Sequence, residues 1–223
     1  MPQTTKAQPQ RAVFIDRDGV MNELLYVAEH GRIDTPLTPQ QFRLIPGVAR
    51  RIKRLQARGF RVILISNQPG IAKGQLTVRG FDRIRQKAHQ LLEREGVRLD
   101  GEYYCFHHPY AARRAYRKAC DCRKPKPGLL LKAAREGALC LASSFMVGDG
   151  FVDVEAGRKA GCRTVLISHL SSLLSQVMTR KRLYPTYLAE NFDEAVQWIL
   201  EEGAHGMRAR HGRTNGHRAR RRP

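Results

Sequence analysis

Short apolar runs alternate along the chain with segments whose apolar residues recur at helical spacing. The runs that predict buried strands lie at 12–15, 61–65, 103–106, 145–147 and 164–167. The segments that predict helices lie at 48–58, 78–95, 128–136, 153–160 and 192–202, and Thr77 and Asn191 are their clearest N-caps. Strands and helices in alternation are typical of a parallel sheet covered by helices. We therefore predict an α/β fold, a Rossmann-like parallel sheet with helices on both faces.

The order of the elements also predicts where a site forms. Right-handed crossovers place the carboxyl ends of parallel strands along one edge of the sheet, where α/β proteins build their binding sites. Residues 22–46, between the first strand and the first helix, form too long a stretch for a simple loop, and residues 26–41 are its enlarged part. We predict a lid or a substrate-facing insertion there.

Length and composition favour one folded domain. The chain has 223 residues, of which 42% are hydrophobic, enough for a single α/β core. We assign residues 12–203 to that domain, 1–11 to a disordered N-terminus and 204–223 to a basic, disordered tail. No run approaches the ~18 apolar residues of a membrane span, and the polar N-terminus has no signal-like apolar core. These features predict a cytoplasmic protein without a membrane partner, which we expect to be a monomer.

The formal charge of +20 is unevenly spread along the chain. Residues 207–223 contain seven arginines and no acid. Such a tail can bind nucleic acid or an anionic membrane surface through counterion release, or it can serve only as a solubilising extension. Because this tail has no aromatic residues to stack on bases, we favour the solubilising role over nucleic-acid binding.

The first candidate for chemistry is the pair Asp16 and Asp18, directly after the first predicted strand. Asp16 can attack phosphorus as a carboxylate nucleophile. Asp18 can protonate a leaving oxygen and later activate water. Gly19 gives the backbone freedom to turn there. The same residue types are common in turns without any catalytic role, so this segment alone leaves both interpretations open.

Two further segments carry groups that suit a phosphoryl oxygen. Ser66, Asn67 and Gln68 follow the second strand and offer a hydroxyl and amides. Arg123 and Lys124 precede a predicted helix, where a cation can stabilise the negative charge of a transferring phosphoryl group. Taken singly, each segment is also compatible with an ordinary surface turn.

A fourth segment adds carboxylates after another predicted strand. Asp149 follows the strand at 145–147, and Asp153 lies further along the same segment. Together with Asp16, Asp149 offers the hard oxygen ligands that suit Mg²⁺. We expect Asp153 to support Lys124 or the metal indirectly, without contacting the substrate. The alternative is a turn whose acid only caps a helix.

In this order, each after an apolar strand, the four segments resemble the signatures of the haloacid dehalogenase (HAD) superfamily. The resemblance implies a HAD-like fold and a Mg²⁺-dependent phosphatase that forms an aspartyl-phosphate on Asp16. It implies that Asp18 is the general acid and base. Its backbone carbonyl would ligate Mg²⁺ together with Asp16 and Asp149. Ser66 and Lys124 would hold the phosphoryl group.

Three of the five cysteines cluster with histidines in the segment 105–122. Three thiolates and one imidazole suit a closed, structural Zn²⁺ site, which would order the chain between them as a small zinc-binding loop. His108 is a competing ligand, and reduced cysteines without metal are the alternative. The predicted ligands are Cys105, His107, Cys120 and Cys122.

The zinc-binding loop, together with the segments DRDG, SNQ and CDCRKPKPG, resembles more narrowly the D-glycero-D-manno-heptose 1,7-bisphosphate 7-phosphatases. The histidinol-phosphate phosphatases share much of this pattern. The resemblance favours His107 as the zinc ligand, and it implies that Asn67, Gln68 and Arg123 contact substrate. After the aspartate of the fourth segment these families usually carry Lys or Arg, where this chain has Gly150.

We therefore predict a phosphatase that removes the 7-phosphate from the heptose bisphosphate, a small-molecule phosphate ester. The alternatives are a histidinol-phosphate phosphatase, a phosphatase of nucleic-acid 3′ ends, and a non-catalytic zinc-loop binding module. The surplus of arginines near the predicted site favours a doubly phosphorylated substrate. A binding module has no need of the complete set Asp16, Asp18, Lys124 and Asp149.

Overall fold

The computed structural model describes residues 10–28, 31–169 and 171–211. Its strands are β1 (Arg11–Ile15), β2 (Leu25–Val27), β3 (Arg32–Asp34), β4 (Phe60–Asn67), β5 (Gly101–Cys105), β6 (Phe145–Gly148), β7 (Arg163–Ile167) and β8 (Tyr187–Ala189). Its helices are α1 (Val48–Ala57), α2 (Val78–Arg94), α3 (Gly128–Glu136), α4 (Phe151–Ala160), α5 (Ser172–Lys181) and α6 (Phe192–His211). Six strands form one sheet in the order β5-β4-β1-β6-β7-β8, and all neighbours in it are parallel. The predicted parallel α/β sheet is confirmed.

The sheet separates two apolar cores. Val13 and Ile15 of β1 face one core, and Ala12 and Phe14 face the other, because successive side chains of a strand point to opposite faces. Helices α1, α2 and α6 contribute to the first core, whereas α3 and α4 contribute to the second. The prediction of helices on both faces is therefore confirmed. Each fully buried large side chain stabilises the fold by roughly 1.5–3 kcal/mol.

Two helices begin at the predicted caps. The Thr77 hydroxyl oxygen accepts a hydrogen bond from the Gly80 N–H at 2.9 Å. Asn191 Oδ1 accepts from the N–H groups of Asp193 and Glu194 at 2.9 and 3.1 Å. Such caps satisfy backbone donors that the first turn leaves without partners, and each stabilises a helix by about 1 kcal/mol.

Some elements differ from the prediction. The long segment 26–41 contains part of the antiparallel β2–β3 hairpin, which is separate from the main sheet. Strand β8 was not predicted, because its three residues are too short a run to show a pattern and become a strand only by pairing with β7. Helix α5 was not predicted either, and none of its side chains is fully buried. Helix α6 continues past the predicted end at 202 to His211.

Both chain ends extend outside the described residues. Residues 1–9 and 212–223 lie there, so disorder of these residues stays a prediction. Of the segments predicted to be disordered, Arg11 begins β1 and residues 204–211 belong to α6. Within the described part of the chain, no helix is both long and apolar enough to cross a bilayer.

The strand order decides which loops meet. β1 lies between β4 and β6, and Ile15, its last residue, pairs with Leu64 on one side and Val147 on the other. The residues that follow β1, β4 and β6 therefore converge at the carboxyl edge of the sheet.

Candidate active site

Asp16 occupies the centre of this edge. Its N–H donates to the Val147 carbonyl at 3.0 Å, which fixes the backbone against β6. Its Oδ1 accepts from the Arg17 N–H at 2.7 Å and lies 2.9 Å from Lys124 Nζ. Among the described residues no hydrogen bond occupies Oδ2, so this oxygen is available to a phosphorus atom or a metal ion.

Lys124 is 2% exposed and joins three elements at this site. Its Nζ lies 2.6 Å from Asp153 Oδ1 and donates to the Ile65 carbonyl at 2.8 Å. Burial alone would lower the pKa of Lys124, but the carboxylates of Asp153 and Asp16 outweigh it and raise that pKa above the ordinary value. A lysine held this way stays charged beside the place where a phosphoryl oxygen would lie.

The backbone of Lys124 is held by Asn67 at the end of β4. The Asn67 side chain donates to the Lys124 carbonyl at 3.0 Å and accepts from the Lys124 N–H at 3.0 Å. The peptide bond between Lys124 and Pro125 is cis. The amide of Asn67 thus orients the lysine.

Three carboxylates gather around this lysine. One oxygen each of Asp16, Asp149 and Asp153 lies within 4.8 Å of the others. Enclosure in the site and the neighbouring Asp16 carboxylate raise the pKa of Asp149 to about 6, although its side chain still reaches solvent. Hard oxygen donors crowded around Lys124 fit the ligand preference of Mg²⁺.

Two glycines allow these carboxylates to approach the backbone. Gly19 has φ +80°, and a Cβ there would lie 2.1 Å from Asp149 Oδ2. A Cβ at Gly148 would lie 2.2 Å from the Asp153 carboxyl carbon. Gly150 differs, because its φ is −127° and an added Cβ would meet its nearest atom, Asp153 Oδ2, at 3.4 Å. The backbone at position 150 therefore accepts a side chain.

Asp18 is held in a polar pocket beside the acid cluster. Its Oδ1 accepts from the Arg17 guanidinium at 2.9 and 3.2 Å and from Asn22 Nδ2 at 3.0 Å. Its Oδ2 accepts from Gln68 Nε2 at 2.6 Å. Because a carboxylate oxygen can accept two hydrogen bonds, Oδ2 keeps one position for a further partner.

No role for Arg17 or Asn22 was predicted from the sequence. Arg17 is 2% exposed and Asn22 is fully buried. A signal for Arg17 existed, since it is a charged residue between two carboxylates that follow a buried strand. Asn22 lies four residues after Asp18, and nothing in the local pattern distinguishes it from a turn residue.

Ser66 lies at the same edge and is 1% exposed. Its hydroxyl oxygen accepts from Gln68 Nε2 at 3.0 Å. Gln68 thus links Ser66 to Asp18 through a single amide nitrogen. Because the side-chain amides of Asn67 and Gln68 are both engaged within the protein, their contact with substrate stays a prediction.

The four predicted zinc ligands come together at the end of β5. The sulfurs of Cys105, Cys120 and Cys122 lie 3.1–3.6 Å apart, and none of these residues forms a disulfide. His107 Nδ1 lies 3.4 Å from the Cys122 sulfur and 3.9 Å from that of Cys105. Ligands of a tetrahedral zinc ion with ~2.3 Å bonds to sulfur would lie about 3.8 Å apart, so the cluster fits such an ion.

The two neighbouring histidines have different surroundings. Burial, with a smaller contribution from Lys118, lowers the pKa of His107, which favours the neutral imidazole that metals bind. His108 Nδ1 instead accepts from the Tyr110 N–H at 3.2 Å, and His108 is not part of the cluster. Arg123 donates to the His107 carbonyl at 3.3 Å and so borders the same loop.

A separate cavity lies away from this chemistry. It has a volume of about 480 Å³ between α2 and β5, and it is lined by charged side chains that include Arg85, His89 and Glu102. It shares no lining residue with the acid cluster around Asp16 or with the cysteine cluster. We assign the chemistry to the carboxyl edge of the sheet, because the carboxylates and Lys124 converge there.

Comparisons with known proteins agree with this geometry. A family model described as HAD-hydrolase-like matches residues 121–195. A D-glycero-β-D-manno-heptose-1,7-bisphosphate 7-phosphatase from Photorhabdus laumondii is 39% identical over 70% of this chain and 79% of its own length. The protein of the same name from Escherichia coli K12 is 35% identical over 85% of this chain and 87% of its own.

Solved structures resemble the fold as well. A D,D-heptose 1,7-bisphosphate phosphatase from B. bronchiseptica, solved with magnesium and phosphate, aligns with a TM-score of 0.70 and 27% identity. The alignment covers 86% of this chain and 99% of that one. A HAD-like phosphatase from Mesorhizobium loti aligns with a TM-score of 0.71 at 27% identity, over 88% of this chain and 87% of that one. The chain therefore belongs to the HAD superfamily, in the family of its heptose-bisphosphate phosphatase relatives, and is a phosphoric monoester hydrolase.

Proposed function

We propose that this phosphatase removes the 7-phosphate of D-glycero-β-D-manno-heptose 1,7-bisphosphate, through an aspartyl-phosphate on Asp16. The observation that carries the proposal is the convergence of Asp16, Lys124 and Asp149 at the carboxyl edge of the sheet. The identity of the substrate is inferred from the relatives that are named for this reaction.

In the first step, Oδ2 of Asp16 attacks the phosphorus and the bond to the sugar oxygen breaks. Lys124 and the Ser66 hydroxyl hold the phosphoryl oxygens, where positive charge and a donor stabilise the negative charge that spreads over them. Asp153 keeps Lys124 in place through their 2.6 Å ion pair. The product of this step is an acyl phosphate on Asp16 and a free sugar hydroxyl.

Asp18 supplies the proton that the leaving oxygen needs, and in the second step it takes a proton from water. That water attacks phosphorus, releases inorganic phosphate and restores the Asp16 carboxylate. Gln68 and Arg17 position the Asp18 side chain through the hydrogen bonds described above. Asn67 has the same kind of role for Lys124.

Asp16 and Asp149, with the Asp18 backbone carbonyl, are the groups that would hold Mg²⁺. Bound there, the ion supplies positive charge to the phosphoryl oxygens during transfer. The raised pKa of Asp149 agrees with a place where carboxylates crowd together and a cation is favourable.

The second metal proposal concerns the cysteine cluster. We assign one structural Zn²⁺ to Cys105, His107, Cys120 and Cys122, because four soft ligands close the site and leave no open position for a substrate. The ion would tie the end of β5 to the segment that leads into Lys124. Its role is therefore to hold the loop beside the active site.

A substrate panel tests the proposed function. Full-length protein with Mg²⁺ is assayed for phosphate release from the heptose bisphosphate, from histidinol phosphate and from a 3′-phosphorylated DNA strand. We expect the highest kcat/KM on the heptose bisphosphate, and none in the Asp16→Asn control. A higher kcat/KM on histidinol phosphate or on the DNA end would overturn the assigned substrate and leave the phosphatase chemistry in place.

A further inference from the structure

The chain turns back on itself directly after Asp18, and this turn returns Asn22 to the side of that aspartate. The Asn22 N–H donates to the Arg17 carbonyl at 3.0 Å, and the Asn22 carbonyl accepts from the Gly19 N–H at 2.9 Å. The backbones of Asp18 and Asn22 are paired in a short bridge. The two residues are therefore held side by side by backbone hydrogen bonds.

The long insertion 22–46 holds Asn22 from its other side. Asn22 forms an antiparallel bridge with Leu44, and on each side of this bridge a backbone hydrogen bond of 3.0 Å joins the segments 21–23 and 43–45. The two ends of the insertion thus meet at Asn22, which is fully buried. Its side chain has a fixed place beside the catalytic aspartate.

The neighbours of the Asn22 amide decide which of its atoms faces Asp18. Nδ2 donates to Asp18 Oδ1 at 3.0 Å and to the Glu23 carbonyl at 2.9 Å. The amide oxygen is buried and has no hydrogen-bond partner among the described residues. In the flipped orientation that oxygen would face two acceptors, and Nδ2 would face none. The donor is therefore directed at Asp18, and the amide oxygen is left without a hydrogen bond.

The two oxygens of Asp18 are held unequally. Oδ1 accepts from the Arg17 guanidinium at 2.9 and 3.2 Å and from Asn22 Nδ2 at 3.0 Å. Oδ2 accepts from Gln68 Nε2 at 2.6 Å and, within the part of the chain that the structure describes, from no other group. Because these donors occupy the lone pairs of Oδ1, the oxygen that remains able to carry a proton is Oδ2.

We propose that Asn22 is a positioning residue of the reaction, which holds Oδ1 of Asp18 so that Oδ2 exchanges the proton. This inference rests on the proposed function, in which Asp18 is the general acid. As the ester bond to phosphorus breaks, the proton on Oδ2 goes to the leaving oxygen and Asp18 becomes a carboxylate. The terminal torsion of an aspartate is broad and roughly two-fold, so loss of the Asn22 donor lets the two oxygens exchange places.

Two aryl esters test this role, because their leaving oxygens need the proton to different degrees. Phenyl phosphate and p-nitrophenyl phosphate have a similar shape, but phenolate is the more basic leaving group and depends more on a general acid. The measured quantity is the ratio of kcat/KM on phenyl phosphate to kcat/KM on p-nitrophenyl phosphate, with full-length protein in Mg²⁺. The variants are Asn22→Ala, Asn22→Leu, which keeps the side-chain volume, and Asp18→Asn as the reference for loss of the acid.

Ser144→Ala is the matched control. Ser144 is also fully buried. Its hydroxyl donates to the Cys140 carbonyl at 2.7 Å and accepts from the Ala12 N–H at 2.9 Å. It precedes β6 and so lies at the amino edge of the sheet, opposite the site. Its loss removes buried hydrogen bonds and stability, as loss of Asn22 does, without touching Asp18.

We expect Asp18→Asn and both Asn22 variants to lower the ratio, the Asn22 variants about tenfold or more, within the ~10²–10⁴-fold that a general acid contributes. Ser144→Ala should lose free energy of unfolding in urea and change the ratio less than about twofold. If the ratio stayed at the wild-type value in the Asn22 variants while Asp18→Asn lowered it, the role of Asn22 would be overturned and the proposed function would stand. An unchanged ratio in Asp18→Asn would instead overturn the general acid itself, and this inference with it. Neither result depends on which sugar phosphate is the substrate.

Discussion

Substitution of Gly19 by alanine separates backbone strain from damage to the metal site. Gly19 has φ +80°, and the new Cβ would lie 2.1 Å from Asp149 Oδ2 and 2.7 Å from its carboxyl carbon. Gly161, after α4, has φ +85° and no atom within 4 Å of an added Cβ. Gly161→Ala is thus a matched control that has the strain without the clash.

The expected magnitudes follow from these two geometries. An alanine in the left-handed region costs roughly 1–2 kcal/mol, so both variants should lose about that much free energy of unfolding. In Gly19→Ala the Asp149 carboxylate must also move, because no real Cβ contact is as short as 2.1 Å. Disturbing groups that hold a metal typically costs 10–100-fold in metal affinity or activity. We expect at least that loss in Gly19→Ala and less than about twofold in Gly161→Ala.

The assay combines urea unfolding with phosphate release measured over a series of Mg²⁺ concentrations. The Mg²⁺ concentration for half-maximal activity should rise in Gly19→Ala and stay at the wild-type value in Gly161→Ala. If Gly19→Ala kept the wild-type Mg²⁺ dependence and kcat, the proposed role of Asp149 as a Mg²⁺ ligand beside Gly19 would be refuted.

Three further substitutions test other parts of the site. Asp16→Asn should abolish phosphate release, because an amide cannot attack as a carboxylate; full activity of this variant would disprove the nucleophile. Elemental analysis should find about one zinc per chain. Cys120→Ser should lower both the free energy of unfolding and the zinc content. If protein purified without chelator contained no zinc, the zinc site would be contradicted. Gly150→Lys should fold like the wild type, because position 150 has an ordinary φ and room for a Cβ. The new lysine should lower KM for the bisphosphate. An unchanged or higher KM would show that its side chain does not reach the substrate.

The candidate site was largely predictable because its chemistry lies in short segments that follow apolar strands. Asp16, Ser66 and Asp149 each end or follow a strand of the sheet, and parallel strands bring such positions to one edge. The cysteine cluster was predictable for a similar reason, since thiols and an imidazole at close spacing have few other uses in one loop.

The elements that the sequence pattern missed are those without a strong local signal. β8 is three residues long and depends on β7 for its hydrogen bonds. The contact of Gln68 with Asp18 was missed for a related reason, because the two residues lie 50 positions apart in the chain. A hydrogen bond across such a separation depends on tertiary packing, and the local periodicity of apolar residues does not predict it.

By itself, the sequence determined the alternation of strands and helices, the four segments of the active site and the set of soft ligands, because periodicity and side-chain chemistry are local properties. Only the tertiary structure decided how those groups are used. It places His107 in the cysteine cluster and not His108, and it turns the amides of Asn67 and Gln68 inward to Lys124 and Asp18. These contacts depend on which surfaces pack together in the folded chain.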